Sequence, residues 1–423
     1  MTAKLIDDCF VLDKDRLPHN EAIGILKTRV HPVTESEQVH LSDASRRYSA
    51  ESIVAPRPIP AHDNAAVDGY AFASADYDAA RGSAFRVVGE VAAGHPYEGQ
   101  LFAGSALRVF TGAVMPRGLD SVAMQEDVQI EDRDGAVWAL IPPGLKAGAN
   151  RRLAGEDTMP GDTLISAETR LRPQDVASAA AAGCSTILCR VPLKVAVFST
   201  GDEILRPGER FVEGKVYDAN APMLHDLVAT TGAEATDFGV LPDTRSRVTA
   251  ALSEASKEFD AVVISGGASQ GQEDHVVASI DALGKRHLWQ IAIKPGRPMS
   301  FGQIGDCIVL GLPGNPVAVF VCFLMYVRPV LMRLSGGTWP EPTRFPVMSN
   351  FSQKKKVGRR EFWRARLVHQ NGQLTVGKFE RDGSGLISSL RESDGLIELA
   401  EDVEAVVSGE PVDFIPYSEL GLG

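Results

Sequence analysis

The chain has 423 residues, 44% of them hydrophobic and 23% charged, with a formal net charge of −12. That length exceeds one ordinary core, so several domains are expected. The negative charge argues against nucleic acid or an anionic membrane as the main target, but not against an anionic substrate held in a local basic pocket.

The first residues, MTAKLIDDCF, contain no apolar stretch of signal-peptide length. The longest apolar run, Val317 to Val327, has 11 residues, against about 20 for a membrane span. It reads as a buried helix, and a cytoplasmic protein without a membrane segment is expected. The five cysteines, Cys9, Cys184, Cys189, Cys307 and Cys322, form no CxxC pair. They read as small buried thiols in a reducing compartment.

Residues 1–19 read as a tail. Asn20 is placed to cap a helix from Glu21 to about Val30, ended by Pro32. A weaker amphipathic stretch covers about Glu35 to Tyr48. Pro56, Pro58 and Pro60 impose an extended path that leads to Asn64-Ala-Ala-Val-Asp-Gly-Tyr70. Asp68-Gly69 is a turn pair, and locally Asp68 reads as a cap of that turn. From Phe85 to Ile141, short strands alternate with Gly, Pro and Asp turns, which suggests a small barrel or sandwich. Arg151-Arg152 and Glu156-Asp157 follow, either as a surface ion network or facing an anionic ligand and its metal. Gln174 to Ala182 reads as a short helix ended by Gly183.

The pattern then changes to strand–helix alternation, which predicts a three-layer α/β domain with a mostly parallel sheet. Strands are expected at Lys194–Phe198, Thr236–Val240, Ala261–Ile264, Leu288–Ile293 and Cys307–Leu310. Asp218-Ala-Asn220 with Pro222 starts one helix, Asp243 can cap a second, Gly284 ends a third, and Asn315-Pro316 opens the long apolar one. After a proline-containing linker from Trp339 to Pro346, the chain returns to β. Asn371-Gly372 marks a hairpin between Phe362–Val368 and Leu374–Lys378.

The stretch Phe259–His275 holds the central features of this α/β region. A short apolar run ends in Ser265-Gly266-Gly267, followed by Glu273-Asp274. Two glycines let the backbone turn and let a ligand approach main-chain N–H groups. Ligands in open α/β sheets sit at the carboxyl ends of strands. There the chain carries Thr200-Gly-Asp-Glu203, Asp243, Ser265-Gly-Gly267 with Asp274, Lys294-Pro-Gly-Arg297 and Gly311-Leu-Pro-Gly-Asn315. Carboxylates in such places hold Mg²⁺ that bridges phosphates, and Lys294 with Arg297 would balance an oxyanion. Neither a Walker A loop nor a GxGxxG turn occurs. The residues thus predict a Mg²⁺-assisted enzyme acting on an anionic, phosphate-containing small molecule.

These motifs resemble one family, the molybdopterin molybdenumtransferases (MoeA and the gephyrin E domain). The resemblance rests on Ala66-Val-Asp-Gly-Tyr-Ala71, Thr111-Gly-Ala-Val-Met-Pro116, Gly155-Glu-Asp157, Ser199-Thr-Gly-Asp-Glu203, Val263-Ile-Ser-Gly-Gly267, Ile293-Lys-Pro-Gly-Arg297 and Gly311-Leu-Pro-Gly-Asn-Pro316, in the family's order. It implies a homodimer of four-domain subunits. These are an N-terminal helical and extended dimerisation domain (1–54 and 150–189), an inserted mostly β domain (55–149), an α/β molybdopterin-binding domain (190–338) and a C-terminal β domain (339–423). The implied reaction takes adenylylated molybdopterin and molybdate, releases AMP with Mg²⁺ assistance, and yields molybdenum cofactor.

By matched position, the resemblance makes Lys294, Arg297, Arg364 and Ser384 an oxyanion and phosphate pocket. It makes Glu203, Asp243 and Asp274 an acidic group, with Glu203 and Asp274 as metal ligands. Ser265, Gly266 and Gly267 would cradle the pterin phosphate, and Pro313, Gly314 and Asn315 would shape the adjoining loop. Asp68, Thr111, Arg152, Glu156 and Asp157 would reach the site from the dimer partner. Molybdopterin adenylyltransferase and molybdoenzyme maturation proteins are the implied partners. Ala65, Val67, Ala268, His275 and Arg297 depart from the family's usual residues. Arg297 in place of lysine changes donor geometry, so another oxyanion such as tungstate stays open, as does a pterin-binding scaffold, while the inserted β domain and the Gly311-Leu-Pro-Gly-Asn-Pro316 loop with a C-terminal β domain argue against the related adenylyltransferase.

Overall fold

The computed structural model describes residues 16–266, 275–370 and 372–422. The chain forms two compact units: one of residues up to 50, 168–171 and 187 onward, the other of 51–167 and 172–186.

The first unit is built on a six-stranded sheet: β1 Lys194–Thr200, β2 Glu234–Leu241, β3 Ala261–Ser265, β4 Lys285–Trp289, β5 Ser300–Ile304 and β6 Cys307–Leu312. The strand order is β2-β1-β3-β6-β5-β4. The first four in that order are mutually parallel, and β5 runs antiparallel to both its neighbours. Every residue of β3 is buried, as expected of a central strand covered on both faces. Its side chains alternate between two cores. Ala261 and Val263 join Val195, Val197, Leu224 and Leu310 on one face. Val262 and Ile264 join Ala196, Phe198, Val248, Leu252 and Ile280 on the other. Helix α1, Asn220–Thr230, covers the first face, and α2, Arg245–Glu258, with α3, His275–Leu283, covers the second. The expected three-layer α/β architecture is therefore present.

Two strands of this sheet differ from the sequence reading. The strand expected at Leu288–Ile293 runs instead over Lys285–Trp289, at the sheet's antiparallel edge. An edge position tolerates the polar run Lys285-Arg286-His287 that a central strand would not. Strand β5 was not anticipated, because Gly302 and Gln303 interrupt its apolar pattern. A Cβ on Gly302 would lie 2.5 Å from Ile280 Cγ2, so the glycine is required by helix packing.

The long apolar run is a buried helix, as expected. It begins at Pro316 with Asn315 as its N-cap and continues to Leu334. By length and composition it could cross a membrane, but 89% of its apolar window is buried inside the protein. A π-helical turn at Phe323–Val327 precedes Pro329. It relieves the clash that a mid-helix proline makes with the preceding turn. Near the N-terminus the helix is His19–Arg29, with Pro18 rather than Asn20 at its N-cap and no side-chain cap bond. The stretch after Glu35 forms a strand, Ser36–His40, and a 3₁₀ turn rather than an amphipathic helix. Only Val39 of that strand is buried.

The C-terminal part of this unit is a closed barrel. Arg360–Gln370 pairs with Gln373–Lys378, which pairs with Phe345–Ser349, then Pro411–Pro416, then Gly395–Leu399, and back to Arg360–Gln370. Trp363, Ala365, Val376, Ile397 and Phe414 fill it. The expected hairpin is present, with Gln370 opposite Gln373, although Asn371 lies outside the described residues. Ile293–Lys294 adds parallel to Arg360-Glu361, so the segment after β4 docks on this barrel.

The second unit holds another six-stranded sheet, in the order Ser121–Met124, Gly69–Phe72, Ser105–Val109, Ser83–Val91, Ala136–Ile141 and Gln129–Arg133. Phe72, Phe85, Ala106, Ala123 and Ile141 form one of its cores. Helix Pro173–Ala181 follows, and Gly183 leaves it at φ +89°.

Candidate functional site

At the carboxyl edge of the α/β sheet, β3 ends in Ser265, whose Oγ lies 3.3 Å from Ser199 Oγ at the end of β1. Gly266 turns at φ +94° and donates its N–H to Leu312 O at 3.1 Å. A Cβ there would sit 2.4 Å from Thr200 O, so only glycine fits. Gly314, on the loop after β6, comes next to this turn: its own Cβ would lie 4.0 Å from Gly266 Cα. That loop is held from α1, where Asn220 Nδ2 donates to Gly314 O at 2.7 Å. Pro313 is buried, while Gly314 and Asn315 are exposed. Gly267 and Asp274 lie outside the described residues.

The ends of β1 and β2 carry acid. Glu203 is exposed, and its carboxylate folds back over Gly201, where a Cβ would lie 2.6 Å from Oε2. Asp243 donates its N–H to Asp202 Oδ1 at 3.2 Å, which ties the two strand ends together. Asp202 was overlooked as a site residue, although it stands inside the Thr-Gly-Asp-Glu motif. The expected helix start at Asp218 is borne out: Oδ1 accepts from the N–H groups of Asn220 and Ala221, each at 3.0 Å. Among the described residues no group of three His, Cys, Asp or Glu side chains forms a ready metal centre.

The basic residues gather where the β4–β5 connection meets the barrel. Lys294 is half exposed, 3.8 Å from the buried carboxylate of Glu361. Gly296, at φ +102°, passes against the long helix, and its carbonyl accepts from Cys322 Sγ at 3.4 Å. Arg297 donates to Gln290 Oε1 from Nε at 3.4 Å and from Nη2 at 3.2 Å. Arg364 is buried in the barrel wall, and that burial lowers its pKa. It donates to Ser389 Oγ at 3.1 Å and to Gly383 O at 3.2 Å. The next residue, Ser384, accepts the N–H of Val317 through its carbonyl at 3.0 Å. Arg364 and Ser384, distant in sequence from the glycine loops, are thus brought to the start of the long helix.

Two more residues here escaped the sequence reading. Lys378 Nζ pairs with Asp382 Oδ1 at 2.6 Å and lies 5.5 Å above the Trp363 ring. A lysine four residues before an aspartate was the only available signal, and it is a common one.

Within the second unit, Asp68 and Thr111 meet directly. Asp68 Oδ1 accepts from Thr111 N at 2.7 Å and from Oγ1 at 2.8 Å. These hydrogen bonds, the backbone one first, hold the Asp68 carboxyl below its usual range. The local reading made Asp68 a cap of its own turn; its Oδ1 instead bonds Thr111 on another loop, so the carboxylate bridges two loops. Arg152 is exposed on a short strand opposite Asn64. Glu156 Oε2 accepts from Leu153 N at 2.9 Å, closing its own turn. Asp157 is exposed beside Thr158.

Three family models cover most of the chain: the MoeA N-terminal region (domain I and II) at 17–183, a probable molybdopterin binding domain at 196–333 and the MoeA C-terminal region (domain IV) at 348–417. Molybdopterin molybdenumtransferase from Haemophilus influenzae is 34% identical over 92% of this chain and 95% of its own length. That from Bacillus subtilis is 30% identical over 91% and 90%. The crystal structure of the molybdopterin biosynthesis moeA protein from Pyrococcus horikoshii OT3 superposes with TM-score 0.80 at 30% identity, covering 95% of this chain and 100% of that one.

The chain belongs to the molybdopterin molybdenumtransferase family. As a member it is a transferase of molybdenum cofactor biosynthesis. The resemblance read from the seven motifs is therefore borne out. In this transferase the glycine cradle, the acidic strand ends and the basic cluster all lie in one compact unit, which the matches to the molybdopterin binding and C-terminal regions span.

Proposed function

We propose that this transferase inserts molybdenum from molybdate into adenylylated molybdopterin, releases AMP with the help of Mg²⁺, and acts as a cytoplasmic homodimer. The observation that carries the reading is the joining of Lys294, Arg364 and the Ser384 loop around the start of the long helix. Lys294 and Arg297 face the oxyanion as donors, with Arg364 behind them. Ser265 and Gly266 offer a tight main-chain turn to the phosphate end of the pterin, and the Pro313–Asn315 loop walls it in.

The acidic side fits a hard divalent cation. Asp202, Glu203 and Asp243 offer carboxylate oxygens without sulfur or imidazole, and Mg²⁺ commonly takes one or two carboxylates with the substrate's phosphates. Glu203 and Asp274 would hold it. The ion would neutralise charge on the pyrophosphate. We further propose that Asp68, Thr111, Arg152, Glu156 and Asp157 serve the pocket of the other subunit in the homodimer.

The purified protein should release AMP from adenylylated molybdopterin only when molybdate and Mg²⁺ are both present. Folded protein that gives no AMP under those conditions would refute the reading. Mixed dimers of Asp68→Ala and Lys294→Ala chains should regain activity that neither variant has alone. Continued inactivity would refute the shared site.

A further inference from the structure

We propose that Asp382 is an internal counter-ion of the oxyanion pocket, held off it by Lys378, and that this pair sets how tightly the transferase binds its oxyanion. The inference rests on the reading of Lys294 and Arg364 as that pocket.

Asp382 stands directly before Gly383, whose carbonyl accepts from Arg364 Nη2 at 3.2 Å, and two residues before Ser384, whose carbonyl meets Val317 N at 3.0 Å. The loop is thus anchored on the pocket at both points, and Asp382 rides on it. Its carboxylate is 56% exposed, while the lysine that grips it is 7% exposed. Lys378 has little freedom. Its ammonium is fixed over Trp363, donates to Phe379 O at 3.1 Å and pairs with Asp382 Oδ1 at 2.6 Å. Phe379 N in turn donates to Arg364 O at 2.9 Å, so the strand that bears Lys378 is registered on the strand that bears Arg364. Lys294 and Arg364 both act electrostatically on Asp382, after the hydrogen bond from Lys378.

A carboxylate in that place opposes an incoming dianion. It offsets part of the attraction of Lys294 and Arg364, as like charges near a shared site do. Lys378 neutralises it in part and keeps it turned aside. Removing the acid should therefore strengthen oxyanion binding, and removing the lysine should weaken it. A purely structural pair would behave otherwise, because loss of either member would loosen the loop and weaken binding alike.

The test is titration calorimetry of the whole protein with sodium molybdate at fixed ionic strength. Asp382→Asn should lower the dissociation constant about three- to tenfold. Lys378→Met should raise it by a similar factor, and Lys378→Arg should stay near the parent value. The double variant Asp382→Asn with Lys378→Met should fall back toward the parent. Weaker or unchanged binding in Asp382→Asn overturns the proposal. Lys294→Ala in the same assay separates the two readings. If it weakens molybdate binding while Asp382→Asn has no effect, only the counter-ion idea fails. If it too has no effect, the pocket assignment fails with it.

Discussion

The contact between Gly296 and Cys322 offers a quantitative test of how the Lys294–Arg297 turn is held. Gly296 adopts φ +102°, and a Cβ added there would lie 2.1 Å from Cys322 Sγ, 3.4 Å from Ile293 Cδ1 and 3.6 Å from Ala318 O. Gly296→Ala meets two separate costs. The positive φ costs a non-glycine residue about 1–2 kcal/mol. Overpacking against a fully buried sulfur adds about 1–3 kcal/mol, for a total of about 2–5 kcal/mol. Cys322→Ala alone opens a small cavity and costs about 1–2 kcal/mol. In the double variant the sulfur is gone, so the overpacking disappears while the φ strain remains. The double should therefore be more stable than the sum of the singles by about 1–3 kcal/mol. Urea titrations of the four proteins, compared at a common slope, measure this directly. Because Lys294 and Arg297 flank the glycine, the single variant should also need more molybdate, and the double should recover part of the loss. Additive stabilities, or a double worse than the sum, would refute the view that Cys322 is the surface against which this turn is set.

Lys294→Ala should raise the molybdate requirement while changing stability by no more than about 0.5 kcal/mol, since the side chain is 46% exposed; a large loss of stability with an unchanged molybdate requirement would reverse the assignment. Thr111→Val removes one of the two hydrogen bonds that hold the Asp68 carboxyl below its usual range, so if the ionised carboxylate is needed, the acid limb of the kcat/KM profile should move to higher pH, and a fixed limb counts against it. His19 is buried against Tyr326, its Nδ1 2.6 Å from the phenol oxygen, and burial lowers its pKa from 6.5 to about 4. The unfolded chain then binds a proton that the folded one refuses, so stability should fall as pH drops from 6.5 toward about 4, by up to about 3 kcal/mol from this group. Acid unfolding of a His19→Gln variant should lack that contribution, and an unchanged acid dependence would exclude His19 as its source.

What could be read from the sequence follows from how each element is stabilised. Strand β3 was legible because a central parallel strand is apolar along its whole length, and all its residues are buried. The N-cap at Asn315 and the end at Gly284 were legible because such signals are local. Strand β5 was not, since Gly302 is fixed by Ile280 on another element. The helix predicted from Asn20 begins earlier, at His19, whose side chain is held by Tyr326, far along the chain. The glycine turns and acidic strand ends stood in the local pattern. Arg364 and Ser384 came only through the family resemblance, and Lys378 with Asp382 not at all. Their placement depends on contacts among barrel strands, the 379–384 loop and the start of the long helix, of which the sequence pattern carries only the Lys378–Asp382 spacing.

The strand order gives these scattered groups a direction. Across the carboxyl edge it runs β2-β1-β3-β6-β5-β4. The acids Asp202, Glu203 and Asp243 follow β1 and β2. The glycine turns at Gly266 and Gly314 follow β3 and β6. Lys294 and Arg297 follow β4, which points the same way as β6 because β5 is antiparallel to both. The edge is therefore ordered acid, glycine, base, and the barrel adds Arg364 beyond the basic end. A chain with net charge −12 repels oxyanions overall, so the proposed oxyanion site needs a local gathering of base, and Lys294, Arg297 and Arg364 supply it even with Glu361 3.8 Å from Lys294. The glycine-ended strands β3 and β6 stand between the acidic and the basic strand ends.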